Sequence, residues 1–120
     1  MIEYTVQVTD VSTEWYFNGC LHREDGPAVE RITGYEAWYH NGKRHREDGP
    51  ASAHTDGYKE WWLHGERHRT DGPAIERADG TTAWYLNGVD VTEAEVMSPA
   101  KEMTIAELEA VLGHKLKVIK

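Results

Sequence analysis

Four tryptophans, Trp15, Trp38, Trp61 and Trp84, recur every 23 residues, and that period constrains the fold more than any other feature. Around them run Trp15-Tyr-Phe-Asn-Gly19, Trp38-Tyr-His-Asn-Gly42, Trp61-Trp-Leu-His-Gly65 and Trp84-Tyr-Leu-Asn-Gly88. Each of the first three is followed by His-Arg-x-Asp-Gly-Pro-Ala: His22 to Ala28, His45 to Ala51, His68 to Ala74. A unit this short cannot enclose a core alone. It must be one supersecondary element that buries a continuous strip by stacking on its copies.

Each unit reads as two strands and two turns. Tyr35-Glu-Ala-Trp-Tyr-His40 is aromatic and alternating, as a strand should be. Asn41-Gly42 is a hairpin turn signal, because both residue types tolerate positive φ. The return strands hold Ala28-Val-Glu-Arg31, Ala51-Ser-Ala-His54 and Ala74-Ile-Glu-Arg77, and Thr55-Asp-Gly57 and Ala78-Asp-Gly80 turn the chain onward. In the Asp-Gly-Pro step, Asp is expected to accept backbone hydrogen bonds, Gly to adopt an unusual φ, and Pro to withdraw a donor where the ladder breaks. These turn residues are Asp25, Gly26, Pro27, Asp48, Gly49, Pro50, Asp71, Gly72 and Pro73.

The reading is a mainly β chain: a single-layer twisted antiparallel sheet of about four stacked hairpin repeats over residues 1–90. Ile2, Tyr4, Val6 and Val8 alternate as its opening strand. The fourth repeat lacks the His-Arg loop. Residues 91–120 read instead as a cap within the same domain: a helix, a second helix and a short strand. Thr92 with Glu95, and Thr104 with Glu107, have capping-box spacing, and Leu116 to Ile119 is the strand. Such a cap would protect a sheet edge.

Alternation puts the four repeat Trp on one face with Phe17, His40, Leu63 and Leu86, and Tyr16, Tyr39, Trp62 and Tyr85 on the other. One ladder is expected to be core; the other, assigned to Tyr16, Tyr39, Trp62 and Tyr85, is either a contact surface or a second buried face.

The net charge of −8 disfavours direct binding to nucleic acid or anionic membrane. Cys20 is the only cysteine, no secretory signal is evident and no apolar run has membrane-span length; a cytoplasmic protein is expected.

The residues Trp38-Tyr-His-Asn-Gly-Lys-Arg-His45 and Asp79-Gly80 resemble MORN-type repeats, with His-Arg-x-Asp-Gly-Pro-Ala replacing the usual Gly-x-Gly continuation. That variant is similar to repeats in phage, giant-virus and bacterial proteins. The segment Met103 to Gly113 with its basic-apolar tail looks like the end of phage-encoded proteins. The resemblance covers roughly residues 5–90 and implies an elongated hairpin array serving as a protein-binding platform.

Three sets of residues are candidates for function. His22, His45 and His68 lie about 9–10 Å apart, twice the strand spacing, so they cannot share one metal ion. The row formed with Arg23, Arg46 and Arg69 is either a structural device, Asp capping the turn while Arg pairs with an acid, or a binding edge for an acidic or repetitive partner. The Tyr/Trp ladder is the third set. Cys20 and His22 resemble a thiol–imidazole pair, yet Cys20 aligns with Lys43, Glu66 and Val89, and no catalytic motif appears.

The expected function is therefore non-catalytic protein binding without cofactor or metal, by a monomer or homodimer. On the resemblance, it is that of a phage-encoded accessory protein inhibiting a host protein, such as a defence component. The alternatives are an acidic nucleic-acid mimic using Glu24, Asp25, Glu47, Asp48 and Asp71, a small-ligand binder and a structural scaffold.

Overall fold

The computed structural model describes residues 3–97. They form a mainly β, antiparallel array of short strands with one helix. Strands β1 (Thr5–Val8), β2 (Ser12–Phe17) and β3 (Cys20–Leu21) begin it, with β1 and β3 both paired to β2. The second repeat contributes β4 (Val29–Arg31), β5 (Glu36–Ala37), β6 (Tyr39–His40) and β7 (Lys43–Arg44). The third contributes β8 (Ser52–Ala53), β9 (Lys59–Glu60), β10 (Trp62–Leu63) and β11 (Glu66–Arg67). Strands β12 (Ile75–Glu76), β13 (Thr82–Leu86) and β14 (Val89–Val91) precede helix α1 (Glu93–Met97).

The main sheet runs β1-β2-β4-β5-β8-β9-β12-β13-β14, so each repeat adds two strands in sequence order. The middle repeats depart from the continuous aromatic strand expected there. Trp38 donates its N–H to Ala51 O at 2.6 Å, while its own carbonyl accepts His45 N–H at 3.1 Å. It is a pivot between the main sheet and the separate β6–β7 hairpin. Trp61 does the same with Ala74 and His68, ahead of the β10–β11 hairpin.

The turns follow sequence chemistry. Asn41 and Gly42 have φ of 50° and 81°, the primed-turn geometry that suits strand twist. At the opposite edge, Asp56 Oδ1 accepts Tyr58 N–H at 3.0 Å and Asp79 Oδ1 accepts Thr81 N–H at 2.9 Å. Thr92 and Glu95 form the reciprocal capping box: Thr92 N–H to Glu95 Oε2 at 3.0 Å and Glu95 N–H to Thr92 Oγ1 at 3.2 Å. The expected second helix and last strand lie outside the described residues.

Neither aromatic ladder is the buried core. Trp15, Trp38, Trp61 and Trp84 are half-buried, and so are Tyr16, Tyr39, Trp62 and Tyr85. The fully covered apolar positions are small: Ala28, Ala37, Ala51 and Ala74, supplemented by Val29, Ile75 and Val96. The reason is geometric. Among the described residues no second layer faces the sheet, so large rings stay half-exposed and only small side chains are fully covered. Paired residues point to the same side, so the registers join Val29, Ala37, Ser52, Glu60 and Ile75 in one row on the Tyr39–Trp62 face.

Candidate functional site

The His-Arg-x-Asp-Gly-Pro-Ala loop is built around one guanidinium. Arg46 lies 3.9 Å over the Trp38 ring, donates from Nε to Asp48 Oδ1 at 3.0 Å and from Nη1 to Pro50 O at 3.2 Å. Arg23 and Arg69 repeat this over Trp15 and Trp61, at 4.0 and 3.8 Å. Both extend the pattern, Arg23 to Glu30 at 2.9 Å and Arg69 to Glu76 at 3.0 Å. In the middle repeat Ala53 occupies that acid position.

Two expectations about this loop need correction. Gly26, Gly49 and Gly72 do not have positive φ. A Cβ there would sit 2.7, 3.0 and 2.6 Å from the Cζ atom of Arg23, Arg46 and Arg69, so a side chain would press on the guanidinium. Likewise the Asp side chains take the Arg Nε–H as their hydrogen bond. The arginines are largely covered, at 19%, 26% and 19% side-chain exposure, while Asp25, Asp48 and Asp71 stand out at 81%, 83% and 84%. A cation held by a ring, a carboxylate and a carbonyl has little left to offer a partner. This favours the structural role for the Arg row.

The histidines link neighbouring repeats. His22 Nδ1 accepts Asn41 N–H, His45 Nδ1 accepts His64 N–H, and His68 Nδ1 accepts Asn87 N–H, each at 2.9 Å. Acceptance at Nδ1 assigns the neutral ring's proton to Nε2. In His22 that nitrogen is buried without a hydrogen-bond acceptor, 3.7 Å from Glu24 Oε1. The rings also form a column: His22 to His40 at 4.5 Å, His40 to His45 at 5.7 Å and His45 to His64 at 4.5 Å. Burial, with the neighbouring His64 and His40 rings, pushes the His45 pKa below its ordinary value against the opposing pull of Glu47. Among the described residues, no group of three or more His, Cys, Asp or Glu has metal-binding geometry.

On the opposite face, rings alternate with guanidiniums. Arg44 lies 5.9 Å from the Tyr39 ring and 5.4 Å from the Trp62 ring; Arg67 lies 5.0 Å from Trp62 and 5.5 Å from Tyr85. Strand pairing sets this order, since Tyr39 is opposite Arg44 and Trp62 opposite Arg67. Tyr16, at the head of the ladder, is opposite Leu21 instead. Its hydroxyl donates to Glu14 Oε1 at 3.0 Å, which holds its pKa above the ordinary tyrosine value. The structure thus brings Tyr39, Trp62 and Tyr85 together and adds Arg44 and Arg67, which the motif reading passed over. The available signal was that the residue two after the Asn41-Gly42 and His64-Gly65 turns is an arginine, Arg44 and Arg67.

Between successive loops, the Trp face has two repeat-related grooves of about 500 and 550 Å³. Trp38 and His40 line one, Trp61 and Leu63 the other, and charged loop residues surround both. Neither is the dominant apolar cleft between cap and sheet that a small-ligand site would favour. Cys20 is exposed with no thiol partner, and no described helix is long and apolar enough to cross a membrane. No protein-family model matches the chain, and no curated protein or solved structure matches it either.

Proposed function

We propose that this chain is a non-catalytic protein-binding module whose contact surface is the Tyr39–Arg44–Trp62–Arg67–Tyr85 ladder. The observation carrying this reading is the interleaving of half-buried rings with guanidiniums on a sheet face that no second layer covers among the described residues. Trp, Tyr and Arg dominate interface hot spots, and residues fixed on strands lose little side-chain freedom on binding. On the repeat resemblance, the partner is a host protein and inhibition is the outcome.

The loop edge supports the nucleic-acid-mimic alternative less well. Each exposed Asp is paired with an Arg, and the remaining acids, Glu24 and Glu47, give way to Thr70 in the third loop. An acidic row needs unpaired charge to imitate a phosphate backbone.

The test is affinity capture from bacterial lysate with wild type and a folded Tyr39→Ser/Trp62→Ser variant. One stoichiometric partner, held by wild type and lost by the variant, is the expected result. No partner with either protein, or equal capture by both, overturns the assignment of this face.

A further inference from the structure

We infer that Arg44 is an anchor for a carboxylate supplied by the partner, a single Asp or Glu side chain. The inference rests on the binding-module reading and adds the chemistry of what is bound.

Arg67 shows what this position does when its acid is internal. Its Nε donates to Glu60 Oε2 at 3.0 Å, with the carboxylate only 9% exposed. Arg44 is the same position one repeat earlier, between Tyr39 and Trp62 as Arg67 is between Trp62 and Tyr85, but Ala37 stands where Glu60 stands. Arg44 therefore forms no ion pair among the described residues. Its polar neighbours are the Tyr35 and Tyr39 phenols rather than a carboxylate.

A second observation concerns donors. Arg44 Nε and Trp62 Nε1 are both buried without an acceptor, in groups whose centres lie 5.4 Å apart. Buried unpaired donors are uncommon, and two in one cluster mark a place short of acceptors. Arg31 stands 5.1 Å over Tyr35, so a second cation lies beside the same cluster. A guanidinium already oriented by two rings binds a carboxylate bidentately with little further ordering. A single side-chain carboxylate suits this fixed cation. A nucleic acid would bring a run of phosphates against a chain of net charge −8.

The test uses the full chain and a short amidated Gly-Ser peptide that carries a single glutamate and an uncharged dye, followed by fluorescence anisotropy at low salt. Wild type is expected to bind, and Arg44→Gln to weaken binding by about tenfold or more. Ala37→Glu supplies the internal carboxylate that Arg67 already has; it should abolish binding while melting no lower than wild type. A thermal melt of each variant separates loss of the anchor from loss of the fold. Absence of wild-type binding, or equal binding by wild type and both variants, overturns the inference. So does stronger competition by inorganic phosphate or a single-stranded oligonucleotide than by unlabelled peptide. If a cellular partner is lost with Tyr39→Ser/Trp62→Ser but retained by Arg44→Gln, the contact face stands and the anchor falls.

Discussion

The His45 ring accepts the backbone N–H of His64 at Nδ1, 2.9 Å away, and also packs 4.5 Å from the His64 ring. One imidazole therefore joins two repeats by a bond that exists only while Nδ1 is unprotonated.

That bond gives stability a pH dependence with a definite sign. Folding lowers the His45 pKa from 6.5, chiefly through burial and then through the His64 and His40 rings, with Glu47 opposing. The unfolded chain thus takes up the proton first as pH falls. The His45 contribution is complete above the unfolded value and is lost progressively below it. Melting temperature should fall between about pH 7 and pH 5. His45→Asn, which keeps an acceptor near the Nδ1 position and does not titrate, should flatten that decline. Identical pH profiles for the two proteins would remove His45 from the account.

Arg46 should be irreplaceable by lysine. Its hold on Trp38, Asp48 and Pro50 needs a planar fork that stacks and donates in two directions. Arg46→Lys is expected to destabilise by about 1–2 kcal/mol in urea unfolding, because the ammonium keeps the charge but loses the geometry. A change within the error of the midpoint would show that charge alone closes the loop.

Gly72 and Arg69 should be coupled. A Cβ on Gly72 would meet Arg69 Cζ at 2.6 Å, so alanine there must dislodge a guanidinium held 3.8 Å over Trp61. Gly72→Ala is expected to cost about 1–2 kcal/mol in wild type and much less when Arg69→Ala is already present. Additive penalties in the double-mutant cycle would place the glycine's role in the backbone instead.

The 23-residue spacing and the Asn-Gly turns made the hairpin array readable from sequence, because periodicity and positive-φ residues report backbone geometry directly. The role of Gly72 was not readable in that way. A glycine beside Asp and Pro suggests a turn angle, and nothing local shows that an arginine three residues earlier folds back onto it. The core was misjudged for a related reason. Rings are the largest apolar side chains, but which residue ends up covered depends on what faces it, and among the described residues the fully covered positions include Ala28, Ala51 and Ala74. Tyr39, Trp62 and Tyr85 could be placed on one face by alternation, whereas Arg44 and Arg67 entered the site only through the return-strand register.

His64 is the position most open to improvement. It holds φ of 51° at the first central residue of its turn, where the other three repeats use Asn18, Asn41 and Asn87 at 51°, 50° and 50°. Asn tolerates that left-handed conformation better than His, since its short polar side chain can hydrogen-bond to the local backbone. His64→Asn leaves the backbone N–H that donates to His45 in place and removes a neighbouring imidazole that opposes His45 protonation. Two outcomes are expected together: a gain of about 0.5 kcal/mol at pH 7 in urea unfolding, and a shallower loss of stability on acidification. A variant that is less stable at pH 7 would mean that the 4.5 Å ring contact outweighs the turn preference. A variant with an unchanged pH slope would show that the His64 ring does not influence His45.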